Sequence, residues 1–276
     1  MTRVLVTGGT GVLGREVVSR LLQKNYTVRI MSRSPRRSTA NPGVEWAQAQ
    51  MLTGEGLSEA LQGVDVVVHA ATDTRLGKTD VEMTRLLLEK AKAAGVGYFL
   101  FISVVGTDQT SFTFHQVKLA CEALVRDSGI PYANLRLAQF HEFIDLLLHM
   151  FTYLPIGFLP MDWKSQPIDA GEAADQVVRV VGARPPGPLP DVAGPEVLTF
   201  KEMLREWQQA RGSHKRVVHL PIPGKLSGAS RKGLLTAPNA RVGKMTWAQW
   251  LHRRYSHARQ TGEKIGPVYS FRGKSQ

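Results

Sequence analysis

Apolar residues along the chain fall into short runs separated by amphipathic stretches. The first, Val4-Leu5-Val6, breaks at Thr7 into glycines, and the pattern restarts at helical spacing over residues 12–24. Further runs at 27–31, 44–47, 65–71, 98–103 and 133–137 read as strands. Between them, 57–61, 79–94 and 114–125 read as helices, closed by Gly63, Gly95 and Gly129. The runs at 65–71 and 98–103 are apolar almost throughout, as suits parallel strands covered on both faces. Strand and helix alternate without a break, which predicts a doubly wound α/β fold with ligands outside the carboxyl ends of its strands.

Beyond residue 137 the pattern loosens. Residues 138–153 form a helical run rich in Phe, Leu, Met and His, opening with Gln139-Phe140-His141-Glu142, and its stripe reads mainly as core. Residues 155–163 read as an irregular apolar flap, 172–181 as a helix and 183–188 as a turn-rich connector. Thr199 and Glu202, three apart, form a capping box for a helix ending near 211. A strand at 216–220 stops at Pro221 and Pro223, a short helix covers 224–235, and a last helix begins at Thr246. From residue 256 the composition is that of a loosely held tail. This organisation predicts a parallel-sheet domain over residues 1–194, with 139–163 over its cleft, and a small lobe over 195–276.

Composition narrows the class. The chain has 276 residues, enough for one core with a smaller lobe. Its one cysteine, Cys121, excludes internal disulfides and fits a reducing compartment. The first strand begins at once and no apolar run is long enough to span a bilayer, so a cytoplasmic protein is expected. The net charge of +12 is uneven: residues 201–276 hold sixteen Lys or Arg against Glu202, Glu206 and Glu263. Such a lobe is either simply solvated or fitted to an acidic partner. Nucleic acid is disfavoured, since no base-reading motif accompanies the charge.

Three places carry candidate chemistry. Gly8, Gly11 and Gly14 stand three apart between a strand and a helix, where backbone approaches a pyrophosphate and helix packs on strand. With Thr10, Val12 and Leu13 they place phosphates on free N–H groups at the helix start; the alternative is a purely structural turn. After the second strand comes Ser32-Arg33-Ser34-Pro35-Arg36-Arg37-Ser38, with no carboxylate to accept from ribose hydroxyls. Arg33 and Arg37 instead suit a 2′-phosphate, so NADP (as NADPH) is expected over NAD unless this is only a solvated basic turn. Ala70 and Ala71 are small enough for a cofactor to lie against the backbone, while neighbouring His69 reads as buried and satisfied.

The third place is helical. His115, Lys118 and Glu122 share one face. Lys118 could hold ribose hydroxyls while His115 exchanges a proton. Equally, Lys118 and Glu122 could form an ordinary helix salt bridge, and Cys121 reads as a small buried residue.

Taken together these residues resemble the short-chain dehydrogenase/reductase superfamily, in its atypical extended branch of NmrA-like and isoflavone-reductase-like proteins. The likeness rests on Thr7 through Gly14, on Gly63-Val64-Asp65-Val66-Val67-Val68-His69-Ala70-Ala71, on Phe101-Ile102-Ser103, and on Lys118 followed by Ser128-Gly129-Ile130-Pro131-Tyr132. Pro167-Ile168-Asp169, Ala173-Ala174 and Ala193-Gly194-Pro195-Glu196 are similar to its later elements. The resemblance implies a Rossmann fold, an NAD(P) cofactor and reduction of a small carbonyl, quinone or enone. It implies a catalytic Lys118, with Ser103 or Thr107 as the strand-end hydroxyl. The family's tyrosine, four residues before the lysine, is replaced by Phe114, leaving His115 as the titratable neighbour. Isoflavone-reductase-like members use the lysine without that tyrosine, and some NmrA-like members sense NADP(H) without turnover. A reductase is therefore the leading expectation and a regulatory NADP(H)-binding protein the alternative; a sugar-nucleotide epimerase would need the tyrosine.

Overall fold

Strand β1 (Arg3–Thr7) lies inside a sheet of seven parallel strands. The computed structural model describes residues 1–35, 43–73, 77–240 and 243–261, with side chains as far as 256. On one side of β1 lie β2 (Thr27–Ser32) and β3 (Val44–Gln48); on the other lie β4 (Val66–His69), β5 (Tyr98–Val104), β6 (Tyr132–Leu137) and β9 (Gly187–Pro188). The order β3-β2-β1-β4-β5-β6-β9 reverses direction between β1 and β4. At such a reversal the connections leave to opposite faces, opening a crevice at the carboxyl ends of the strands.

Alternation along the strands feeds two cores. Val4, Val6, Val66, Val68, Tyr98 and Leu100 face helices α1 (Val12–Gln23) and α6 (Ala170–Ala183). Leu5, Val67, Phe99 and Phe101 face α2 (Leu57–Leu61), α3 (Asp80–Ala93) and α4 (Thr113–Asp127). Burial on both faces explains why these strands read as continuous apolar runs. A third cluster joins α5 (His141–Phe151) to α7 (Phe200–Arg211) and α9 (Trp247–Thr261), through Ile144, Leu148, Trp207 and Trp250.

The C-terminal half departs from the sequence expectations in detail. The run expected helical from 138 begins at His141, because the N–H groups of Ala138 and His141 bond to the Val192 and Ile168 carbonyls and hold this stretch extended. The helix expected from 172 begins at Ala170, since the Asp169 carboxylate accepts from the Glu172 N–H and caps it. The flap is partly regular: β7 (Gly157–Leu159) pairs in parallel with β11 (Val217–His219). A second ribbon pairs β8 (Lys164–Ser165) with β10 (Leu198–Thr199). Helix α8 (Lys225–Arg231) stops short of 235, ahead of Gly233 at φ +74°. Helix α9 runs on to Thr261, through the start of the expected loose tail. Among the described residues no helix is long and apolar enough to cross a membrane.

Candidate cofactor and reaction site

The glycine turn is built by close approach. Gly8 has φ +68°, and a Cβ there would lie 2.9 Å from the Ala71 nitrogen and 3.0 Å from the Ala70 carbonyl carbon. A Cβ on Gly14 would sit 2.1 Å from the Gly8 oxygen, closer than any side chain tolerates. The Gly11 N–H donates to that same Gly8 oxygen at 2.9 Å, closing the turn. Helix α1 then starts with no side-chain cap and no acidic residue in its first turn. Its first N–H groups and positive dipole end are thus left for an anion. Thr10 and Gly11 are exposed there, whereas Val12, Leu13 and Gly14 are buried and anchor the helix to the sheet.

Gly8 and Ala71 are held together by a buried polar chain. The Ala71 N–H donates to Thr7 Oγ1 at 3.1 Å, and Thr7 Oγ1 lies 2.7 Å from His69 Nδ1. His69 Nε2 lies 3.2 Å from Thr84 Oγ1, which donates to Cys121 Sγ at 3.5 Å. One direction of donation satisfies every member: Thr7 to Nδ1, and Nε2–H to Thr84. Burial, then the Lys118 charge, depresses the His69 pKa to about 3, so the ring is neutral. The histidine is thus a tie between β1, β4 and α3, as its buried reading anticipated.

At the β2 end Arg33 is exposed, next to a turn in which the Ser34 N–H donates to Ser32 Oγ. Arg36 and Arg37 lie outside the described residues.

The reacting end gathers on α4. Lys118 does not meet Glu122. Its ammonium donates to Asp80 Oδ2 at 2.8 Å, with both side chains almost wholly buried. Asp80 also accepts from Thr72 Oγ1 and from the Asp73 N–H, each at 2.6 Å. The ammonium lies 5.5 Å from the Phe101 ring centre and 5.6 Å from that of Phe114, the residue four before it. Glu122 goes instead to Arg136, on β6, which holds both its carboxylate oxygens. The salt-bridge alternative for Lys118 and Glu122 is therefore replaced by two separate pairs, because both residues turn inward to different neighbours.

Two hydroxyls competed for the strand-end role. Thr107 donates to the Val104 carbonyl within its own turn. Ser103 is buried, and its Oγ has no hydrogen-bond partner among the described residues. His115 is buried between Phe112 and Phe114, with neither ring nitrogen bonded among the described residues. Burial holds its pKa down to about 4, so it is a neutral imidazole near pH 7. Sequence reasoning missed Asp80, which fell inside the helix expected at 79–94 and was given no role. Glu142 lines a cleft with Val12 and Arg15 of α1, Asp169 and Arg253, and burial pushes its carboxyl up.

Residues 8–143, from the glycine turn to the first turn of α5, match the NAD(P)H-binding family. That match takes in just under half of the chain. Among similar proteins, the Photosystem II assembly factor Ycf39 of Trieres chinensis is 35% identical over 50% of this chain and 46% of its own. The chain thus spans about half the length of its Ycf39 relatives. A (4-alkanoyl-5-oxo-2,5-dihydrofuran-3-yl)methyl phosphate reductase of Streptomyces griseus is 29% identical over 79% of this chain and 77% of its own. The NADPH complex of Escherichia coli NADPH-dependent quinone oxidoreductase superposes with a TM-score of 0.77 at 20% identity, covering 91% of this chain and 99% of that one. The Citrobacter triphenylmethane reductase bound to NADP(H) gives 0.72 at 19%, over 92% and 99%. At such identities the structural likeness speaks for the fold, a Rossmann-like sheet shared with NAD(P)-binding reductases.

Proposed function

We propose that the protein is an NADPH-dependent reductase of a small carbonyl, quinone or enone. The observation that carries the reading is a pair of buried polar side chains, Ser103 and His115, without hydrogen-bond partners among the described residues, on the strand and helix that also supply Phe101 and Lys118. Buried polar atoms normally find partners, and two left open in one region are what a bound reactant would complete. The glycine turn fits a dinucleotide, since the close backbone approaches that Gly8 and Gly14 permit shape a turn whose helix start has no side-chain cap and leaves its first N–H groups for a pyrophosphate.

In this reading Gly8, Thr10, Gly11, Val12, Leu13 and Gly14 hold the pyrophosphate, and Ala70 and Ala71 carry the ribose beside it. Arg33, with Arg37, receives the 2′-phosphate. The nicotinamide supplies hydride when bound. Lys118 has three N–H donors and gives one to Asp80, keeping others for ribose hydroxyls and the reacting oxygen. Ser103 donates to that oxygen, and neutral His115 supplies a hydrogen bond. The 139–163 segment and the 195–276 lobe shape the substrate side.

The alternative, an NADP(H)-binding regulator, draws on two observations: Phe114 offers no proton, and Asp80 already neutralises Lys118. Purified protein is tested for NADPH against NADH binding, and then for NADPH oxidation with quinones, enones and aldehydes. Turnover with any of them supports the reductase. Tight NADPH binding without oxidation across the panel transfers the assignment to the regulator.

A further inference from the structure

The C-terminal half carries an exposed apolar face that the cofactor site does not use. In the parallel ribbon β7–β11, Phe158 pairs with Val218. Side chains two apart on a strand share a face, which adds Ile156 and Leu220 to the same side. All four are exposed, between 39% and 44%, whereas Leu159 on the opposite side is sealed in the core. Next to them, just beyond α5, Tyr153 is 85% exposed and Leu154 56%. Lys215 fixes this arrangement: its ammonium donates to the Thr152 and Tyr153 carbonyls, tying the end of α5 to the start of β11. Six large apolar side chains thus project from one region, where solvated proteins usually scatter them singly.

The charge along the segments that carry this face is mainly basic, and the nearest acid, Asp162, is paired with Arg231. Residues 207–262 contain eleven Lys or Arg and no Asp or Glu, and residues 146–161 contain no acid. Arg216, exposed and two residues before Val218, extends the apolar row with a cation. A second copy of the chain would bring like charges together. An acidic protein would satisfy the charge, but side chains as exposed as Tyr153, at 85%, and Leu154, at 56%, suit insertion into an apolar layer better than a protein surface. A bilayer needs only projecting apolar groups, an aromatic residue at headgroup level and cations above anionic lipid. We infer that this face, from Tyr153 to Phe158 and from Arg216 to Leu220, docks the protein on an anionic membrane surface.

The test is sedimentation of the 276-residue chain with phosphatidylcholine vesicles, with and without phosphatidylglycerol. The expected result is binding to the phosphatidylglycerol vesicles, loss of that binding in high salt, and little binding to phosphatidylcholine alone. Leu154→Ser with Phe158→Ser is expected to weaken binding about tenfold or more, with the far-UV circular dichroism spectrum and melting unchanged. Arg216→Glu, which leaves every apolar side chain in place, is expected to weaken it about fivefold or more on anionic vesicles only. Failure to sediment with either vesicle, equal binding to both, or full binding by both variants would overturn the inference. So would binding of a Leu- and Glu-rich peptide to this face by protein that ignores vesicles, since the occupant would then be an acidic protein.

Discussion

Lys118 holds a buried carboxylate as well as facing the expected reaction site, so truncating it tests two roles at once. Lys118→Met leaves Asp80 buried with two neutral donors, and a loss of about 3 kcal/mol is expected from breaking the pair. Lys118→Met combined with Asp80→Asn removes both charges; thermal melts should recover most of that loss, while NADPH oxidation stays abolished. Recovery of turnover together with stability would reduce Lys118 to a structural residue. Gly14→Ala is the sharper probe of the cradle. Its Cβ would meet the Gly8 backbone at 2.1 Å, so NADPH titration of the folded fraction should show binding lost. At this scale the glycine turn was legible in the sequence, because its spacing is a local pattern. Asp80 was not, because its contact spans 38 residues and Glu122, four positions from Lys118, offered a nearer carboxylate that the fold gives to Arg136.

The start of α7, fixed by a capping box of its own residues, was read well, whereas the start of α6 was set two residues late despite its Asp169 cap, and pairings fixed by distant partners were not read at all. The α7 capping box is present as expected, with Thr199 Oγ1 accepting from the Glu202 N–H and the Glu202 carboxylate accepting from the Thr199 N–H. Thr199→Ala is expected to cost about 1 kcal/mol in denaturant unfolding. The pairing of β7 with β11 escaped notice because 60 residues separate strands of three residues each, too short for alternation to show. The joint between α5, α7 and α9 also lay hidden. Asp145, fully buried, accepts from Trp207 Nε1 at 2.7 Å and from the Tyr255 hydroxyl at 2.5 Å, and lies 3.3 Å from Arg254. Asp145→Ala strands these donors and the cation, and a loss of about 3–5 kcal/mol is expected, concentrated in these three helices when followed by hydrogen exchange.

Across the whole molecule, burial sets the response to acid. His69 is held to about 3, and His115 and His141 to about 4. An unfolded chain protonates these imidazoles below about 6.5 while the folded chain does not. Their contribution is therefore complete above that pH and is lost progressively as pH falls toward 4. Glu142 and Asp191, pushed up by burial, oppose this, since their protonated forms are favoured in the fold. Burial also holds His149 down and pushes Glu206 up; with four such histidines against three such carboxylates, the melting temperature should fall between pH 6.5 and pH 4, and a flat profile would contradict the buried, neutral rings. The chain of contacts from Ala71 through Thr7, His69 and Thr84 ends on Cys121, the one thiol in the sequence and fully enclosed. A maleimide can reach that sulfur only when α4 parts from α3 and the sheet, so the labelling rate clocks this opening. Nucleotide seated against Gly8 and Ala71 should slow the clock, giving the protein an internal gauge of occupancy that needs no substrate.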